Sequence, residues 1–165
     1  GIFALAEALR RLDGGTNLRV VIAGEGRDEN ELRRRTQGLT TVDVTFAGRL
    51  DTREMVAMYQ RARALVVPST THREGNPLVI AEAFRAGTPV IASDQPPMVE
   101  SVGDAGLIVE QGNDRDLADA LRTMSAETDT YHAFRRRAEQ RAHLFSYERY
   151  RDQIEEIFGL ASNGG

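Results

Sequence analysis

The sequence contains no cysteine, no tryptophan and no lysine. Without cysteine there is no disulfide framework, no thiol nucleophile and no thiolate metal site. All 21 basic residues are arginine, and against 25 acidic residues they leave a net charge of −4. That balance argues against wholesale nucleic-acid binding, which needs a basic face. Long apolar runs are also missing: stretches such as 20–23 and 78–81 fall far short of the ~20 residues that cross a bilayer. No charged-then-apolar leader opens the residues given, which leaves the cytoplasm, or the inner face of a membrane, as the expected location. The 165 residues suffice for one domain that buries roughly 70% of its unfolded surface without staples.

Ile2, Leu5, Leu9 and Leu12 recur at helical spacing until Gly14 and Gly15 stop them. Leu18–Ala23 is a short valine-rich run, the pattern of a parallel strand buried on both faces, and Gly24-Glu25-Gly26 ends it. A polar helix is expected over 28–37. Val42, Val44 and Phe46 then alternate with Asp43 and Thr45, which predicts a strand wet on one side at a sheet edge. Asp51-Thr52-Arg53-Glu54 reads as a capping box before a helix with Met55, Met58, Tyr59 and Ala62 as its stripe. A buried strand is expected at 64–67, a helix over 77–86 closed by Gly87, and further strands at 89–92 and 107–109. Leu117, Leu121 and Met124 mark one later helix, and Phe134, Ala138 and Phe145 a second. Tyr147, Tyr150, Ile154, Ile157 and Ala161 mark a third, capped by Ser146, with a fraying tail at 162–165.

Strands alternating with helices imply an α/β fold with an open, mostly parallel sheet. Ligands of such sheets bind beyond the carboxyl ends of the strands, so the loops after Ala23, Phe46, Val67 and Ala92 are the places to expect a site.

The most unusual segment runs from Pro68 through Glu74-Gly75-Asn76-Pro77 into an apolar helix, where Glu82 is the only charge between Asn76 and Arg85. A carboxylate there must be paired within its own fold, hydrated, or kept for a ligand. Gly75 permits close backbone approach and Pro77 suits a first helical position. The N–H groups of Asn76, Leu78 and Val79 would then face outward as an anion site. Glu74 at its lip suits hydroxyl groups. An anion site flanked by two hydroxyl-accepting carboxylates describes a sugar linked to a phosphate.

Glu74 and Glu82, in the pattern Glu-Gly-x-Pro-Leu-Val-x-x-Glu-Ala, resemble the E-x7-E motif of the group 1 (family GT4) retaining glycosyltransferases of the GT-B fold. Other landmarks agree in order: Gly24-Glu25-Gly26, Phe46-Ala47-Gly48, Tyr59 and Ala62 before Val66-Val67-Pro68-Ser69, Gly87-x-Pro89-Val90-Ile91-Ala92, Glu100, and Gly106-Leu107-Ile108-Val109. The resemblance spans residues 1 to about 150. It implies the Rossmann-like C-terminal, nucleotide-sugar-binding domain of a two-domain enzyme that transfers a sugar from a UDP-, GDP- or ADP-linked donor with retention. No cofactor and no bound metal are implied. Glu74 would bond donor-sugar hydroxyls and act at the catalytic centre, and Glu82 would bond the ribose. Backbone around Gly75, Asn76, Pro77, Leu78 and Val79 would receive the diphosphate. Gly24 and Gly26 would line the nucleotide cleft, and Gly48, Arg49 and Leu50 would border the base.

In that family a strand ending in Gly-Arg and a Lys-Gly pair precede the point where this sequence starts, and Gly1 resembles the glycine of that pair. The resemblance therefore implies a fragment of 1–161 lacking the first, central strand, the diphosphate-gripping arginine and lysine, and the acceptor-binding N-terminal domain. The expected consequences are an inactive isolated chain and a sheet that either closes across the gap or borrows a strand. Strands at Leu18 and Leu65 each fully paired within the chain would refute the gap.

Rival motifs are weaker. Gly24-x-Gly26 lacks a third glycine at position 29, which argues against NAD. Asp114-Arg115-Asp116 imitates a metal-binding DxD but follows Gly112-Asn113 at a helix start, where acids cap. His72 is either a ligand contact or a solvated loop residue, and His132 and His143 have no partner at metal-ligand spacing. The runs Arg33-Arg34-Arg35 and Arg135-Arg136-Arg137 read as solvated helix faces, with peripheral contact to an anionic membrane as the alternative. A GT-B sugar-nucleotide epimerase and a non-catalytic nucleotide-binding module are the competing functions.

Overall fold

The structure, a computed structural model, describes residues 1–70 and 78–145. Helix α1 (Ile2–Leu12) buries Leu5, Ala6, Ala8, Leu9 and Leu12, the face its apolar spacing marks out. It leads to β1 (Leu18–Ala23), which pairs in parallel with β2 (Val42–Gly48) through α2 (Glu29–Thr36). The capping box forms at the start of α3 (Thr52–Arg61): Asp51 accepts the N–H of Glu54 and Glu54 accepts the N–H of Asp51, each at 2.8 Å. Strands β3 (Leu65–Val67), β4 (Val90–Ser93) and β5 (Gly106–Val109) form a second parallel ladder with β4 in the middle. Helices α4 (Leu78–Arg85) and α5 (Pro96–Val102) connect them. Helices α6 (Asp114–Ser125) and α7 (Asp129–Arg141) follow, and a 3₁₀ turn (Ala142–Phe145) comes last. The fold is α/β with parallel strands flanked by helices.

Two hydrophobic layers enclose the strands. One joins α1 and α6 to inward residues of both ladders, including Val20, Val44, Val66 and Leu107. The other packs α3, α4, α5 and α7 against Leu65, Val67, Val90 and Ala92, and includes nothing from β1 or β2. This second layer corrects the expectation for β1. Its Leu18, Val20 and Ile22 are half-buried, but Arg19, Val21 and Ala23 are exposed, Val21 by 41%. A strand is buried twice only where both layers reach it. β3 is likewise half-buried throughout, whereas all four residues of β4 are buried.

Among the described residues β1 pairs with β2 alone and β3 with β4 alone. The two ladders are therefore not joined by strand pairing among the described residues. Among the described residues β2 has β1 as its one ladder partner, and its Asp43 and Thr45 are exposed, the wet face its alternation predicts.

Other differences are local. The helix α5 has no clear apolar periodicity, and its sequence signals are Pro96 at the first turn and Gly103 after the last. Phe145 does not continue α7 but sits on the 3₁₀ turn, with its ring 5.9 Å from that of Phe84. The helix expected from Ser146 onward lies outside the described residues.

The arginine runs are also more than solvated faces. The Arg33 guanidinium lies 4.0 Å over the Phe46 ring and that of Arg35 lies 4.7 Å over Phe3. Arg135 donates to the Gly87 carbonyl at 3.3 Å and Arg137 to that of Asp104 at 3.4 Å, and Arg141, beyond the run on the same helix, donates to that of Glu100 at 2.9 Å. Arginine's fork lets one side chain cap carbonyls of another element, which sequence spacing does not reveal. Among the described residues no helix is long and apolar enough to cross a membrane.

Candidate functional site

The end of the first ladder is built from backbone. Gly24 donates its N–H to the Gly48 carbonyl at 2.7 Å, and both have positive φ, +111° and +64°. A one-residue shift between Ile22 and Ala23 brings Ala23 opposite Gly48. With no side chain on either glycine, a flat group could approach this backbone closely. The Gly26 carbonyl accepts the N–H of Glu29 as α2 begins. Arg49 is exposed beyond β2, and Leu50 is half-buried before the Asp51 cap.

At the second ladder the chain leaves β3 through Pro68, Ser69 and Thr70. Gln95, 3% exposed, donates from Nε2 to the Ser69 carbonyl at 2.9 Å. A Cβ on Gly1 would lie 1.4 Å from the Pro68 carbonyl oxygen, so only glycine fits where α1 starts against this loop. Leu78 and Val79 open α4 and are exposed, Leu78 by 69%. By helix geometry the N–H groups of this first turn have no partner within the helix. Glu74, Gly75, Asn76 and Pro77, and with them His72, lie outside the described residues.

Glu82 sits in the middle of α4, exposed, while Ile80, Ala81, Ala83 and Phe84 around it are buried. It resolves the question of the lone charge in an apolar helix: the Tyr59 hydroxyl donates to its Oε2 at 3.0 Å. Its other oxygen has no hydrogen-bond partner among the described residues. Tyr59 itself is only 4% exposed, and burial first, then the Glu82 carboxylate, pushes its hydroxyl well above the usual phenol range. At neutral pH it is therefore a hydrogen-bond donor.

Tyr59 is thus a site-adjacent residue that periodicity assigns only to the α3 core stripe. Gln95 is another, hidden in a loop before two prolines. Neither contact has a local sequence signal, because each partner lies more than twenty positions away.

Among the described residues no group of three His, Cys, Asp or Glu side chains could hold an ion. The DxD-like segment is structural. Asn113 caps α6 by accepting the N–H groups of Arg115 and Asp116, each at 3.1 Å. Asp114 pairs with Arg11, and Asp116 accepts the Glu110 N–H at 2.7 Å. His132 lies 2.7 Å from Glu127, and His143 contacts the Gln140 carbonyl. A cavity of about 570 Å³ opens elsewhere, along β2, and includes Asn17, Thr40 and Thr41. Those three residues flank the amino-terminal ends of the strands, opposite to where parallel sheets bind ligands.

Residues 1–141 match the family described as glycosyl transferases, group 1. The chain belongs to this family. It is 33% identical over 168 residues to the D-inositol 3-phosphate glycosyltransferase of Corynebacterium aurimucosum, covering 97% of this chain and 39% of that protein. It is 37% identical over 119 residues to a glycogen synthase of Mycobacterium tuberculosis, covering 70% of this chain and 28% of that protein. The chain thus spans well under half the length of these curated relatives. Among solved structures, HepE of Anabaena in complex with UDP and glucose superposes with a TM-score of 0.80 at 20% identity, covering 96% of this chain and 44% of that one. The fold of this group 1 glycosyltransferase chain is that of the C-terminal domain of the GT-B enzymes.

Proposed function

We propose that this chain binds the nucleotide-sugar donor of a retaining glycosyltransferase, as the C-terminal domain of a longer enzyme whose N-terminal domain holds the acceptor. The observation that carries this reading is Glu82: an exposed carboxylate on an apolar helix, with one oxygen held by a neutral donor and the other without a hydrogen-bond partner among the described residues. Such a group suits neighbouring hydroxyls, as a ribose presents them.

In this reading Glu82 accepts the ribose hydroxyls and Glu74 those of the donor sugar. The start of α4, at Leu78 and Val79 with Gly75, Asn76 and Pro77 before it, receives the diphosphate through backbone N–H groups. Gly24 and Gly26 line the nucleotide, and Gly48, Arg49 and Leu50 border the base. The bond from the anomeric carbon to the diphosphate breaks as the bond to the acceptor oxygen forms on the same face, and the proton of the acceptor hydroxyl passes to the departing diphosphate oxygen. Charge on the departing diphosphate stabilises the oxocarbenium-like centre, so orientation and electrostatics do most of the work without a bound metal. The relatives that act as D-inositol 3-phosphate glycosyltransferase and glycogen synthase support transfer chemistry over epimerisation.

The test is a thermal-shift panel of UDP, GDP and ADP and their sugar derivatives, with and without EDTA. One base is expected to raise the melting temperature, with no effect of EDTA. No shift with any nucleotide would overturn the proposal. The chain alone is expected to give no sugar transfer.

A further inference from the structure

We infer that Tyr59 is a positioning residue for Glu82: its hydroxyl holds Oε2 so that Oε1 stands ready for the ribose. The inference rests on the reading of Glu82 proposed above and adds what gives that side chain its aim.

A glutamate on a helix surface has several freely rotating torsions, and ordering it on binding costs affinity. The phenol that holds it here has no such freedom. The Tyr59 side chain is packed in the core layer with Ile80, Ala83 and Phe84. Its carbonyl accepts the Thr88 hydroxyl at 2.6 Å and the Ala62 N–H at 3.1 Å. Thr88 is itself buried, 2% exposed. Tyr59 is therefore fixed along its length, from the end of α3 to the oxygen that meets Glu82.

The kind of partner matters as much as its rigidity. Glu7, Glu29, Glu31 and Glu127 each pair with an arginine. Glu82 has no ion-pair partner among the described residues and takes a neutral hydroxyl instead. An arginine would compensate the carboxylate and occupy both oxygens in a bidentate pair. A phenol donates one hydrogen bond, leaves the negative charge in place, and leaves the second oxygen to accept. Burial keeps that phenol protonated. A buried tyrosine hydroxyl also needs a partner for its own sake, so the test must separate positioning from mere satisfaction.

The experiment compares wild type, Tyr59→Phe, Glu82→Gln and the double variant. The probes are whichever of UDP, GDP and ADP binds the wild type most tightly, and its 2′,3′-dideoxy form, with calorimetric Kd and the melting temperature as readouts. Tyr59→Phe keeps the ring in the core. It is expected to weaken the ribonucleotide by about five- to twentyfold while leaving the dideoxynucleotide nearly unchanged. In the Glu82→Gln background it should weaken the ribonucleotide no further. A loss that is equal for both nucleotides, or no loss at all, while Glu82→Gln retains its selective effect, would overturn the positioning role and leave the reading of Glu82 intact. A wild type that fails to distinguish the two nucleotides, or binds neither, would overturn that reading and the inference with it.

Discussion

The carboxylate of Asp13 accepts the N–H of Thr41 at 2.7 Å and that of Thr40 at 2.8 Å. Both threonine hydroxyls also reach it, at 3.2 to 3.3 Å. One side chain at the end of α1 thereby fastens the loop that enters β2. These bonds, the Thr41 N–H foremost, hold the Asp13 carboxyl below its ordinary value of 3.8. The stability it contributes is complete above that value and is lost as pH falls through the lowered one. Asp13→Ala is expected to lower the urea midpoint clearly at pH 7, with the gap to wild type narrowing as the pH falls below the ordinary value of 3.8 and through the lowered one. A gap independent of pH would show that the carboxylate charge is not what matters.

Arg63 makes a comparable anchor at the far end of α6. Its guanidinium donates to the carbonyls of Met124 at 3.0 Å and Ala126 at 2.9 Å and to Glu127 at 2.6 Å, and lies 3.9 Å over the Tyr131 ring. A lysine has neither the fork nor the planar face. Arg63→Lys should therefore cost about 1–2 kcal/mol in chemical denaturation, close to Arg63→Ala. Full retention of stability by the lysine variant would mean that charge alone suffices.

Gly103 ends α5 with φ +52° and ψ −122°. A Cβ there would lie 2.5 Å from the Arg141 guanidinium. Gly103→Ala is expected to lose roughly 1–3 kcal/mol, from the strained backbone and the displaced arginine together. Combining it with Arg141→Ala should recover only the steric part, which denaturant midpoints of the two single variants and the double variant would resolve.

The two motif carboxylates should be separable by ligand. Glu82→Gln is expected to weaken the bare nucleotide and its sugar derivative alike, by roughly tenfold or more, because a charge-assisted bond to ribose is lost from both. Glu74→Gln should weaken the sugar nucleotide while largely sparing the bare nucleotide. Calorimetry with both ligands decides it, and equal effects from either change would reject the assigned roles.

Much of the architecture was legible because it is encoded over short distances. Leu5, Leu9 and Leu12 recur within one helix, Asp51 and Glu54 close their box within one turn, and Val42, Val44 and Phe46 alternate within one strand. The motif around Glu82 was legible for the same reason. What Glu82 touches was not, since Tyr59 reaches it from another helix. The helix α5 escaped notice because Pro97, Glu100 and Ser101 interrupt any apolar rhythm.

The sequence by itself determined the α/β class, the order of its strands, the family, and the placing of a lone carboxylate in an apolar helix. Each of these follows from residue type and spacing along one stretch of chain. Only the tertiary structure decided that β1 keeps an open face, that the parallel strands fall into two separate ladders, and that a buried phenol holds the carboxylate. These depend on which surfaces meet after the chain has folded back on itself. The absence of lysine acquires its meaning at the same level. Arg63, Arg135 and Arg141 each hold carbonyls of a distant element, a task for a planar fork that a single ammonium performs poorly.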